Sequence, residues 1–444
     1  MDPLDRLTDS ARWRIPRFAS AENRAPVVSS LVRSTYAVVL AGGRGSRLKQ
    51  LTDWRCKPAV PFGGKHRIID FSLSNCINSG VRRIGVATQY RSHSLIRHLQ
   101  RGWNFLDPRL QEFLDVLPAQ RPIEVGWYGG TADAIWQNLE IIRMHEPRFV
   151  LVLAGDHIYK MDYGAMLAEH VESGAEVSVA CTDVPVSDAS SFGVMRVSEG
   201  SEVLEFAEKP AEPAALPDDP TRSLVSMGIY LFDAEFLYRV LHADAGDDSS
   251  SHDFGRDVIP RLIAEDRRIH AHRYRGSCVN MVQGAPYWRD VGTVDAYWSA
   301  NMDLAKIEPE LNMYDPEWPI RTLDEQLPPA KFIFEAADER GQAWDCIVSS
   351  GCIVSGASIH RSLLFTGVEV ERGSLIEDSV VLPEAVIGRD VRLRRAVVDK
   401  FCMLPDGFRA GYDADADAAR FHTTAGGVVL ITPEMLGQRP HLDG

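Results

Sequence analysis

The chain has 444 residues, of which 62 are acidic and 48 basic, for a formal net charge of −14. Apolar residues make up 45% and charged residues 25%, the balance of an ordinary soluble globular protein with about three domain-sized units. That acidic balance excludes a general binder of nucleic acid or anionic membrane, yet leaves room for a small anionic substrate where bases cluster.

Residues 1–34 mix Asp, Glu and Arg without an apolar core segment, so they read as a polar extension and not as a signal peptide. Seven cysteines (Cys56, Cys76, Cys181, Cys278, Cys346, Cys352, Cys402) form no CxxC pair, which fits a reduced, cytoplasmic chain without a zinc site. No apolar run is long enough to span a bilayer.

From 35 to 310, apolar runs alternate with helix-like stretches. Runs 36–41, 83–88, 149–154 and 176–180 are continuous, as in parallel strands covered on both faces. Residues 132–143 read as a helix with Thr131 as its N-cap. Segments 194–197 and 202–207, turning at Glu199-Gly200, read as an inserted hairpin. The pattern is α/β, a doubly wound, mostly parallel, Rossmann-like sheet. Pro316, Pro319, Pro328 and Pro329 mark a linker over 311–345. In 346–444, Ile347, Ile353, Ile359 and Phe365 recur every six residues, and Leu375, Val381, Ile387 and Leu393 do so again. That period predicts a left-handed parallel β-helix of hexapeptides, a fold that often carries subunit contacts.

The first run leads into Leu40-Ala-Gly-Gly-Arg-Gly-Ser-Arg-Leu48. Gly42, Gly43 and Gly45 let the backbone approach a phosphate closely, although a plain tight turn fits equally well. The spacing is neither GxGxxG nor a Walker A loop. Charge favours a polyphosphate: between Arg44 and Arg67, seven bases (Arg44, Arg47, Lys49, Arg55, Lys57, Lys65, Arg67) stand against one acid, Asp53. Asp156 closes the run 149–154 at the strand end where α/β sheets bind ligands, and reads as a Mg²⁺ ligand or an N-cap. Asp290 precedes a helix-like stretch, again as ligand or cap. Lys209 after Glu208 reads, on its own, as a solvated turn residue. His157 and His252 have no partner at metal-ligand spacing. No Ser-His-Asp or Cys-His arrangement supports covalent hydrolysis.

From Tyr36 onward the chain resembles the bacterial glucose-1-phosphate adenylyltransferases. The resemblance rests on Lys57-Pro-Ala-Val-Pro-Phe-Gly-Gly-Lys-His-Arg-Ile-Ile-Asp-Phe71, Leu73-Ser-Asn-Cys-Ile-Asn-Ser-Gly80, Gly130-Thr-Ala-Asp-Ala134, Leu153-Ala-Gly-Asp-His-Ile-Tyr159 and Ser251-His-Asp-Phe-Gly255. It implies a nucleotidyltransferase that makes ADP-glucose and pyrophosphate from ATP and α-D-glucose 1-phosphate, for glycogen synthesis. It further implies Mg²⁺, a homotetramer and control by anionic metabolite effectors. Carried over, Gly42, Gly43, Gly45 and Gly130 bind ATP, and Arg47, Lys57 and Asp156 are catalytic. Asp156 and Asp290 hold the metal, while Tyr128, Gly193, Glu208, Lys209 and Ser226 contact glucose 1-phosphate. Arg55, Arg67, Glu384 and Lys400 suit an anionic effector.

Some positions depart from the family. Trp54 replaces a lysine, and Pro433 and Gly437 replace arginines, of enteric members activated by fructose 1,6-bisphosphate, while Pro61 replaces a histidine near the effector pocket. Gly129 stands where relatives often have a larger polar residue. Two other readings stay open: a pyrophosphorylase using UTP or dTTP, and a non-catalytic regulatory subunit of the same fold.

Overall fold

The computed structural model describes residues 24–43, 45–119, 128–281, 284–333 and 340–439. Arg44 lies outside them. Helix Arg24–Arg33, within the expected extension, buries Leu31 and Val32 against the first domain.

The first domain is built on nine strands: β1 (Thr35–Ala41), β2 (Arg83–Thr88), β3 (Phe113–Pro118), β4 (Phe149–Ala154), β5 (Val177–Pro185), β6 (Gly193–Val197), β7 (Val203–Glu208), β8 (Arg222–Asp233) and β9 (Ile269–Arg273). Their order is β7-β6-β8-β4-β1-β2-β3, with β5 also against β8 and β9 against β5. Strands β3, β2, β1 and β4 are mutually parallel, as are β5 and β9. Strand β8 runs antiparallel to β4, β5 and β6, so the sheet is mixed, and the expected parallel character holds for β4, β1, β2 and β3 and for the pair β5–β9. The hairpin is β6–β7. The apolar runs are continuous because both faces are covered. Ala37, Val39, Leu151 and Leu153 enter one core, while Tyr36, Val38, Val150 and Val152 enter the other.

The helix expected over 132–143 is two helices, Thr131–Trp136 and Leu139–Met144. Asn138 accounts for the break: its side-chain amide donates to the Ala134 carbonyl at 2.9 Å, competing with the backbone ladder. Gly130, not Thr131, holds the N-cap position.

The second domain is a parallel β-helix of three sheets. It begins earlier than the linker boundary at 345, because Lys331–Ile333 and Gln342–Trp344 already pair with later coils. The coil length is not a strict multiple of six. Ile353 pairs with Glu369, sixteen residues on, and Leu375 with Arg392, seventeen on. The buried anchors are therefore Val354, Ile359, Leu364, Val370, Ile376, Val381, Ile387 and Leu393. Ile353 is exposed, Leu375 and Ile347 are half-buried, and Phe365 turns outward to the first domain, so half of the expected anchors lie outside the prism core. Phe365, Leu382 and Val397 share one buried cluster with Phe62 and Tyr297, which joins the two domains through a common core.

Candidate active site

A cleft of 490 Å³ opens at the carboxyl ends of β1 and β4. Gly42 and Gly43 line it, and Gly45 closes the turn in a left-handed conformation (φ 66°), where a Cβ would stand 2.8 Å from that of Lys57. The turn itself therefore needs Gly45, whereas a Cβ on Gly43 would meet nothing within 4 Å.

Asp156 leaves β4 into the cleft. It caps no helix, since Asp162 caps helix Tyr163–Ser173. Asp290 is not a cap either: Thr293 accepts the Ala296 N–H at the start of helix Val294–Asp303. The two carboxylates converge on Lys57, whose Nζ lies 3.1 Å from Asp156 and 2.7 Å from Asp290. Burial works against the Lys57 charge, but these carboxylates outweigh it and raise its pKa. Both carboxyl groups titrate below the usual range despite burial, Asp156 through Lys57 and then His157, Asp290 through His157 and Lys57. Arg47 adds a contact to Asp290 at 3.1 Å from the cleft mouth.

His157, which the sequence leaves without a partner, stands 3.6 Å from Asp156 and 3.5 Å from Asp290. Ligand atoms of Asp156, His157 and Asp290 all lie within 4.8 Å of one another. His252 keeps a structural role, paired with Asp244 at 2.9 Å while its carbonyl accepts the Ala132 N–H. That approach requires Gly130, where a Cβ would meet the His252 oxygen at 2.2 Å.

On the far wall, Tyr128, Gly193, Glu208, Lys209 and Ser226 all line the cleft. Lys209 is held in a left-handed conformation (φ 48°), with its Nζ 2.7 Å from Glu208 and largely exposed to the cleft. Sequence reading missed Thr131 and Asp253 in the cleft lining, and Gln89 beside Gly42 at the glycine turn. Thr131 donates to the Asp253 carboxylate and accepts the Phe254 N–H, each at 3.0 Å, tying two loops together. Gly129 donates its N–H to Asp133 at 2.8 Å.

A second cavity of 490 Å³ lies between the domains and brings together Arg55, Arg67, Glu384 and Lys400. Burial first, then Arg55 and Arg67, push the Lys400 ammonium down to about 6. Arg67 donates to the Ser94 carbonyl and hydroxyl, at 3.1 and 2.7 Å. Nearby, the Trp54 indole donates to Glu434 and lies under Arg91, while Pro433 and Gly437 flank the turn Glu434–Leu436.

Comparison with known proteins agrees with both halves. The nucleotidyl transferase family matches residues 36–307, and a GlmU-like, C-terminal hexapeptide family matches 328–431. The glucose-1-phosphate adenylyltransferase of Nitrosomonas europaea is 61% identical over 415 residues, covering 93% of this chain and 96% of its own. That of Nitrosospira multiformis is 58% identical over 413 residues, covering 93% and 97%. That of Methylobacillus flagellatus is 59% identical over 414 residues, again covering 93% and 97%.

Proposed function

We infer the chemistry of this cleft from the premise that the chain belongs to the nucleotidyl transferase family, among its glucose-1-phosphate adenylyltransferases. It joins ATP and α-D-glucose 1-phosphate into ADP-glucose, with release of pyrophosphate. One observation carries this reading to the residue level: the glycine turn, Asp156, Asp290, Arg47 and the Glu208–Lys209 wall face one cleft.

A phosphate oxygen of glucose 1-phosphate attacks the α-phosphorus of ATP in line. The bond from that phosphorus to the bridging β-oxygen breaks, and pyrophosphate leaves with the electron pair. No covalent enzyme intermediate is needed. Asp156 and Asp290 form a donor set suited to a hard dication, and Mg²⁺ is the metal we assign; bound there, it would neutralise charge on the reacting phosphates. Lys57 orients both carboxylates. Arg47 reaches the triphosphate from the cleft mouth, with Gly42, Gly43, Gly45 and Gly130 giving the nucleotide close backbone approach. Lys209 takes the sugar phosphate, and Glu208, Ser226 and Tyr128 offer hydrogen bonds to the glucose.

ATP is favoured over UTP or dTTP by the relatives' activity. The non-catalytic alternative is disfavoured because the catalytic side chains converge. The inter-domain cavity is read as the seat of an anionic metabolite effector, so the enzyme is allosterically regulated, and its product is a glucosyl donor for glycogen. Exposed Phe332, Trp344 and Ile353 on the first coils of the β-helix support a subunit contact there, and the homotetramer is the number the family resemblance implies. No helix among the described residues is long and apolar enough to cross a membrane. The cytoplasmic reading draws support from seven unpaired cysteines.

Label placement tests the reaction. ATP labelled at the α-phosphorus should pass its label to ADP-glucose, and ATP labelled at the γ-phosphorus to pyrophosphate. α-Label recovered in pyrophosphate would overturn it.

A further inference from the structure

Arg55 and Lys57 are two residues apart, and each is held by carboxylates from distant parts of the chain. Lys57 bridges Asp156 and Asp290 in the cleft. Arg55 makes a fork with Asp399 of the β-helix, Nη1 to Oδ1 at 2.8 Å and Nη2 to Oδ2 at 2.9 Å. Both side chains of the fork are 4% exposed. Asp399 follows strand Ala396–Val398 directly, and its Oδ1 also accepts the Lys400 N–H at 2.8 Å. The Arg55 Nε is buried without a hydrogen-bond partner, so the guanidinium is not saturated. Arg55 lines the cationic inter-domain cavity with Arg67, Arg97, Arg101 and Lys400, whereas the buried Asp399 is not part of its lining.

We propose that Asp399 is a positioning residue acting as a built-in anion: it holds Arg55, and through residues 55–57 the Lys57 ammonium, and an anion entering the cavity competes with it for the Arg55 guanidinium. This rests on the effector reading of the cavity given above. A buried guanidinium stripped of counter-charge is strongly disfavoured, but one anion can replace another without leaving it bare. Two anions on one guanidinium repel each other in a low-dielectric site, so the exchange is competitive. The connection to the cleft is short. After Cys56 comes the turn Lys57–Ala59, and the Lys57 N–H donates to the Gly43 carbonyl of the glycine turn at 3.4 Å. A change of partner at Arg55 therefore reaches both the metal carboxylates and the phosphate-binding turn.

The test uses sulfate as the anion and the full-length protein with its cleft filled by ADP-glucose. Calorimetric titration compares wild type with Asp399→Asn and Asp399→Glu. Removing the competitor should tighten sulfate binding at least ~10-fold in the Asn variant, while the Glu variant restores wild-type affinity within ~3-fold. A merely structural Asp399 predicts weaker or unchanged binding. A second readout needs no variant and decides alone if the Asn protein does not fold: saturating sulfate should speed amide hydrogen exchange at residues 54–57 and 399–402 of the wild type. Equal sulfate affinity in wild type and Asn variant, or exchange that is unchanged or slowed, overturns the competition and leaves the anion cavity standing. No sulfate binding in any variant, with ADP-glucose synthesis intact, overturns both.

Discussion

The ammonium of Lys57 stands 2.7 Å from the carboxylate of Asp290, a residue 233 positions further along the chain. With Asp156 on its other side, it balances two carboxylates that would otherwise repel. Lys57→Met keeps the bulk and removes the balance. Loss of a buried partner should cost on the order of 3 kcal/mol of stability. Mg²⁺ should raise the melting temperature of the variant more than that of wild type, because a dication can take over the neutralising role. Thermal unfolding with and without Mg²⁺ measures this, and wild-type stability in the variant would remove Lys57 from the account.

Lys209 lines the same cleft as Gly42 and Gly43, and the proposed function gives it the sugar phosphate. Lys209→Ala should raise KM for glucose 1-phosphate by about 10- to 150-fold, with KM for ATP nearly unchanged. Steady-state kinetics with each substrate varied in turn decides this. Equal losses for both would mean that Lys209 supports its loop and not the sugar phosphate.

The strands and the position of Asp156 were legible because continuous Val, Leu and Ala runs mark strands buried on both faces, and the residue after such a run falls at the ligand edge. Asp290 was legible as a ligand or a cap from its position, whereas Tyr128, Gly193, Glu208, Lys209 and Ser226 were picked out only through the family resemblance, and the structure puts all five in one cleft. His157 was not legible, since its partner Asp290 is remote in sequence and brought close only by the fold. The Arg55–Asp399 fork was hidden in the same way, because one acid in a β-helix turn looks like any other. The phase of the β-helix was misread at Ile353 and Leu375, since coils of sixteen and seventeen residues drift against a period of six. Asn138 broke a helix whose apolar pattern continues, because the pattern reports burial and not the side-chain amide's competition for a carbonyl.

Lys400 gives the inter-domain cavity a pH signature. Burial, with Arg55 and Arg67, holds its ammonium at about 6, so near pH 7–8 it is mostly neutral. A bound anion favours the charged form, so binding takes up a proton, and affinity must fall as pH rises above about 6. Sulfate keeps its charge over this range; its affinity should fall by up to ~10-fold per pH unit in wild type and stay flat in Lys400→Gln. A flat wild-type profile would separate Lys400 from the anion.

Control should not rest mainly on fructose 1,6-bisphosphate. Two separated dianionic groups each need cationic partners, yet Trp54 is bound to Glu434, and Pro433 and Gly437 carry no donor side chain. Fructose 6-phosphate or pyruvate should activate at lower concentration, with AMP or inorganic phosphate opposing. Activation curves at saturating substrate and Mg²⁺ check this; fructose 1,6-bisphosphate as the strongest activator at the lowest concentration would refute it.

The central claim, adenylyl transfer to glucose 1-phosphate in the Asp156–Asp290 cleft, meets its most direct test in a nucleotide panel. Pyrophosphate release is measured with glucose 1-phosphate and each of ATP, UTP and dTTP, and the sugar nucleotide formed is identified. The account predicts ADP-glucose from ATP, with kcat/KM at least ~10²-fold above that for UTP or dTTP. Comparable turnover with UTP or dTTP, or no pyrophosphate from ATP at all, would contradict it.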